Sequence, residues 1–188
     1  MELVKRSNWV RVAGVGSTVI VAAVIVLSSD LIGQDADPRA YPGSQSGLRL
    51  EEMAKSVRLE LPDCGIDGLR YSAKKSLDVW LKIAFTAADR GCMDRYLDGY
   101  KVTPGRPDLT WPYKLTGTLD GKPFGGFTSP FPPYETDQLG WSLDHAKLYD
   151  IYTEFATPVG AKFKVVVERA SGSVQVYMSS TYIVNGGI

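Results

Sequence analysis

Hydrophobic and polar positions fall into three regimes along the chain. Residues 12–29 read VAGVGSTVIVAAVIVLSS, apolar almost throughout and without one charge. A helix of that length, rising about 1.5 Å per residue, reaches roughly 27 Å, close to the roughly 30 Å hydrocarbon core of a bilayer. Lipid offers no partner to a peptide group, so a segment that bonds within itself is the form this composition favours. The run is longer than the apolar stretch of a secretory signal, and the following Leu-Ile-Gly-Gln-Asp is a poor cleavage site. The pattern therefore predicts an uncleaved transmembrane helix over 12–29. Residues 30–47 are rich in Gly, Pro, Ser and Asp and show no apolar period, which predicts a flexible linker.

The remaining residues, 48–188, carry the periods of a folded domain. A short helix is expected over 48–56, then a strand in which Val57, Leu59 and Leu61 alternate up to Pro62. Strands are expected over 69–72 and 79–86; in the second, Val79, Leu81, Ile83 and Phe85 form one face and Trp80 lies on the other. Thr86 followed by Asp89 resembles a capping box opening a helix that buries Ala88, Cys92, Tyr96 and Leu97 and stops at Gly99. A strand over 113–119 leads into Asp120-Gly121, a dipeptide suited to tight hairpin turns. The stretch SPFPPYE reads as extended polyproline-like loop, and Leu148, Ile151, Tyr152 and Phe155 follow helical spacing. The clearest signal is a C-terminal hairpin, with Phe163, Val165 and Val167 alternating, a turn at Ala170-Ser171-Gly172, and Val174, Val176 and Met178 on the return. Together these predict an α+β domain, a small antiparallel sheet with one main packed helix and a terminal β-hairpin.

Charge orients the anchor. Of 21 basic and 21 acidic residues, Lys5, Arg6, Arg11 and the single acid Glu2 precede the apolar run, so everything beyond it carries a net charge of −2. Basic residues stay on the cytoplasmic side, which makes residues 1–11 a cytoplasmic tail and places the 48–188 domain outside the cell membrane. The lack of a basic excess in that domain argues against a nucleic-acid partner.

Few residues suggest chemistry. Cys64 and Cys92 are the only cysteines and fall in the compartment expected to be oxidising, where a structural disulfide is favoured over a redox or metal pair. With a single histidine, His145, a multi-histidine metal site is excluded, and no cofactor motif is present. His145 lies near Ser142 and Asp144, and carboxylates recur in pairs such as Asp63 with Asp67 and Asp137 with Asp144. Such proximity is expected by chance among 21 acids. The strongest lead is a concentration of rings among prolines and glycines, from Trp111 through Phe124, Phe127, Phe131 and Tyr134 to Trp141, able to stack on cell-wall sugars or anchor a protein partner.

The segments LPDCGIDGLRYS, VWLKIAF, DRYLDGY and KVVVERASGSVQVYMSS, together with the anchor, give the chain a resemblance to bacterial membrane-anchored or secreted small ectodomain proteins of unknown function. The matching elements run from Leu61 and Pro62 through Arg70 and Tyr71, Tyr96 and Leu97, and Gly140 and Trp141 to the terminal hairpin. The resemblance implies location and fold, and no activity. The expectation is a non-catalytic binding or accessory module of the cell envelope, with an extracytoplasmic hydrolase using Asp carboxylates, with or without His145, as the alternative.

Overall fold

The computed structural model describes residues 37–76, 79–119, 122–127 and 129–180, with the backbone alone over 114–119 and 122–127. The predicted span 12–29 lies outside the described residues, and among those residues no helix is long and apolar enough to cross a membrane. The described residues are mixed α+β, with a six-stranded antiparallel sheet and three helices among them.

In chain order the elements are α1 (Leu50–Ser56), β1 (Ile66–Lys75), β2 (Val79–Ala87), α2 (Arg90–Gly99), β3 (Leu109–Trp111), β4 (Lys114–Leu119), β5 (Lys122–Phe127), α3 (Pro133–Leu139), β6 (Tyr149–Ala156), β7 (Lys162–Glu168) and β8 (Val174–Ser180). The main sheet has the order β1-β2-β8-β7-β6-β3, and β4 and β5 form a separate antiparallel pair in which Leu119 faces Lys122; the predicted Asp120-Gly121 turn lies outside the described residues.

Both faces of the main sheet are covered. Val165 and Val167 enter one core with Leu81, Ile83, Phe85, Val176 and Met178, beneath Leu50 and Met53 of α1 and Met93 and Leu97 of α2. Val166 between them enters a second core on the opposite face, with Ala84, Ile151, Trp111, Phe131, Leu139 and Trp141. Strand side chains alternate faces, so three successive valines can be buried only if both faces are dry. One packed helix was expected; instead two helices cover the first face and the segment around α3 covers part of the second.

A disulfide joins Cys64 in the loop before β1 to Cys92 in α2, across 6.0 Å between Cα atoms. Asp89 is the N-cap of α2 and accepts from the Cys92 amide at 2.7 Å. The capping box was placed one turn early, because Thr86 belongs to β2 and donates to Gln175.

Three other expectations change. Val57 and Leu59 are buried without a strand; the chain turns through Arg58 in the left-handed region, at φ 50°, which points both neighbours inward. The helical spacing of Ile151, Tyr152 and Phe155 belongs to β6, where a register shift between Tyr152 and Phe155 adds residues to the period of two. The proline-rich stretch contains α3: Pro132 stands at the N-cap, Pro133 opens the first turn, where a missing amide costs nothing, and Gly140 closes the helix at φ 64°.

Residues 37–47, read from composition as linker, are bound to the sheet. Ala40 bridges Tyr71 in parallel fashion, and the amides of Tyr41 and Gln45 donate to Tyr71 and Ala73 carbonyls at 2.7 and 2.9 Å. Their backbone satisfies the outer edge of β1, which composition cannot reveal.

Candidate functional site

On the second face of the sheet, strand register sets Ser72, Lys82, Ser179 and Lys164 in one row across β1, β2, β8 and β7. Adjacent strands lie about 4.8 Å apart, so the row concentrates two ammonium groups and two hydroxyls. Lys82 is 5% exposed and Ser179 4%. A lysine so placed needs an anion, and α3 supplies it from its first turn.

Glu135 and Leu139, four residues apart, face the sheet, while Tyr134 and Gln138 share the adjoining helix face. Lys82 Nζ donates to Glu135 Oε1 at 2.7 Å, Ser179 Oγ to the same oxygen at 2.5 Å, and the Tyr134 hydroxyl at 3.3 Å. Glu135 Oε2 is buried and has no hydrogen-bond partner among the described residues. Lys82 Nζ also lies 3.7 Å from the centre of the Tyr134 ring. Lys164 donates to the Pro130 carbonyl and sits 5.5 Å from the Phe131 ring. Burial lowers the pKa of Lys82 in spite of its bond to Glu135, and burial also lowers that of Lys164. Burial followed by the Glu135 charge pushes the Tyr134 hydroxyl up to about 12.

Beyond this row the face opens into a cleft of about 590 Å³ between the β1–β2 hairpin, residues 43–45 and α3. Trp80 and Tyr134 flank it, 40% and 41% exposed. Lys74, paired across the ladder with Trp80, lies beside Lys75, and Gln45 and Gln138 contribute amides.

The sequence-predicted site residues divide. Trp111, Phe131 and Trp141 are buried, and Phe131, Trp141 and Tyr177 pack mutually at 5.2 Å between ring centres, so none of the three predicted rings offers a free face to a ligand. Their packing follows from the second sheet face, which needs a cover that the helices on the first face cannot provide. Tyr134 is at the cleft, whereas Phe124 and Phe127 belong to β5, whose side chains lie outside the described residues. Against known proteins, no family model, curated sequence or solved structure matches the chain.

The exposed His145 ring packs on Trp111 at 4.7 Å, Asp144 accepts from the Ala146 amide, and Asp137 contacts Thr136. Among the described residues no three of His, Cys, Asp and Glu gather as metal ligands. A larger cleft of about 1250 Å³ lies beside α1 and α2, but Tyr96 and Tyr100 in it both direct their hydroxyls to the Glu60 backbone. Its lining intersperses Glu51, Glu60 and Asp63 with Lys55, Arg58, Arg95 and Lys101, so it presents no surface of a single sign.

Trp80 is the ring that sequence reasoning passed over. Its signal was present in the alternation of β2, which leaves Trp80 on the face opposite the first core and beside Lys82.

Proposed function

We propose that the protein is a single-pass, membrane-anchored binding module of the cell envelope whose extracytoplasmic domain holds a ligand in the cleft between Trp80 and Tyr134. The observation that carries this reading is that pair of exposed rings, set on a strand and a helix that are locked together by the buried contact of Lys82 with Glu135. Large rings with few rotatable bonds lose little entropy on binding, and a site on regular elements is already in its bound shape. The apolar run at 12–29 and the lysines and arginines before it support the anchor and its orientation. The disulfide between Cys64 and Cys92 suits an oxidising compartment.

Retention of the detergent-solubilised full chain on purified envelope fragments tests the reading. The parent is expected to sediment with the fragments and the Trp80→Ala/Tyr134→Ala variant to remain in solution with its fold intact. Equal retention of both refutes the cleft. Protease added to intact cells is expected to digest the domain after residue 47; protection there with digestion only after lysis refutes the orientation.

A further inference from the structure

Resting on the reading of this cleft as the ligand site, we infer that its ligand is an anionic glycan, a sugar polymer bearing carboxylate or phosphate groups. The lining fixes the sign of the charge. Lys74, Lys75 and Lys82 face the cleft, and no acidic residue lines it among the described residues. Glu135 neutralises Lys82 from beneath, and half-buried Lys164 adds a second ammonium to the same cluster, so that lysines outnumber the one glutamate there. Lys74 and Lys75 have no ion-pair partner among the described residues. Even counting Asp78 of the intervening sequence, basic groups exceed acidic ones. Lysine ammonium groups act as point charges and accept carboxylate and phosphate alike.

The shape and the remaining chemistry favour a sugar over a peptide. An extended acidic peptide commonly binds by adding a strand to a sheet edge. The edge of β1 beside this cleft is already paired with residues 40–45, so that mode is closed. What the cleft offers instead is two flat rings, Trp80 and Tyr134, and the Gln45 and Gln138 amides. Gln45 Oε1 is spent on the Lys75 amide at 2.9 Å, which fixes the side chain and leaves its NH₂ as a donor suited to sugar oxygens.

The test measures binding of the full chain in detergent micelles to polygalacturonate, to its fully methyl-esterified form, to a phosphodiester-linked mannan and to poly-glutamate. Polygalacturonate and the mannan differ in their anion, and a preference for either identifies which group the lysines take. At low salt an acidic glycan is expected to bind about tenfold more tightly than the neutral ester, an advantage that shrinks as salt shortens the screening length. Lys74→Gln/Lys75→Gln is expected to remove most of that advantage, weakening binding of the acid far more than that of the ester, while Trp80→Ala weakens both to a similar extent. Equal binding of the acid and the ester, unmoved by the lysine changes, overturns the inference and leaves the cleft standing. Poly-glutamate binding as tight as the glycan's and indifferent to Trp80→Ala overturns it in favour of an acidic protein segment. Failure of the parent to bind any of the four, or binding that no cleft substitution alters, overturns both the inference and the cleft.

Discussion

Replacing Lys82 by methionine isolates the contact on which the site depends. The substitution keeps the length and apolar stem of the side chain and deletes the ammonium that donates to Glu135 Oε1 at 2.7 Å. Glu135, 1% exposed, then keeps Ser179 and Tyr134 as donors on Oε1 and nothing on Oε2 among the described residues. Removing one partner of a buried pair costs about 3–5 kcal/mol. Lys164 stays close enough to attract Glu135, which holds the loss toward the lower end. The expected loss at pH 7 is therefore about 3 kcal/mol, or roughly 6–12 °C in Tm for a domain of this size.

One control separates this account from simple disturbance of packing. In Lys82→Met/Glu135→Leu no buried charge is left without its partner on this contact, so most of the stability is expected to return; a double-mutant cycle should give coupling of at least about 2 kcal/mol. Thermal and urea unfolding of the full chain, followed by near-ultraviolet circular dichroism, read the cycle. A single substitution within about 1 kcal/mol of the parent at pH 7, or a double variant no more stable than the single, refutes the reasoning.

Converting Cys64 and Cys92 to serine together is expected to cost about 3–4 kcal/mol, because the bridge closes a loop of 28 residues, and reductant should lower the parent's Tm but not the variant's. Phe131→Ala should cost about 3–5 kcal/mol by opening a cavity against Trp141 and Tyr177, and denaturant midpoints will show whether that ring is core. Asp37, held down to about 2 chiefly by its bond to Arg39, stabilises the fold above its unfolded value of 3.8 and ceases to do so as pH falls toward 2. Asp37→Asn should consequently lose stability at neutral pH and show a shallower decline over that acid window; an unchanged acid limb refutes it.

The period of two was sufficient to read β2, β7 and β8, because alternation of Phe163, Val165, Val167 and their partners belongs to the strand itself and survives any packing. β6 was misread because a bulge between Tyr152 and Phe155 mixes two periods, and 57–61 because a left-handed turn at Arg58 imitates alternation. The cover over the second face was hidden for a different reason. Trp111, Phe131 and Trp141 stand among prolines, where no period operates, and whether such rings face water or sheet is decided by partners far away in sequence. The site was least legible: Lys82, Glu135 and Ser179 are 53 and 44 residues apart, and only the β2–β8 register and the placement of α3 bring them together.

That register also explains why the cleft lies where it does. Following β2 along the second face, Ala84 is in the dry core, Lys82 is buried but charged, and Trp80 stands at the opening. Across the sheet the same gradient passes from Val166 and Tyr177 to Lys164 and Ser179. A cover as short as α3 cannot shelter the whole face, and the strands must pass from apolar contact to water within a few residues. An apolar side chain at the boundary row would let α3 slide, since apolar contact is not directional. A charged row with one acceptor on α3 admits a single position for the helix, and with it a single position of Tyr134 relative to Trp80. The pair, an oxygen with three donors beside one with none among the described residues, thus fixes where Tyr134 stands relative to Trp80, and its loss should be felt first as loss of order at those two rings.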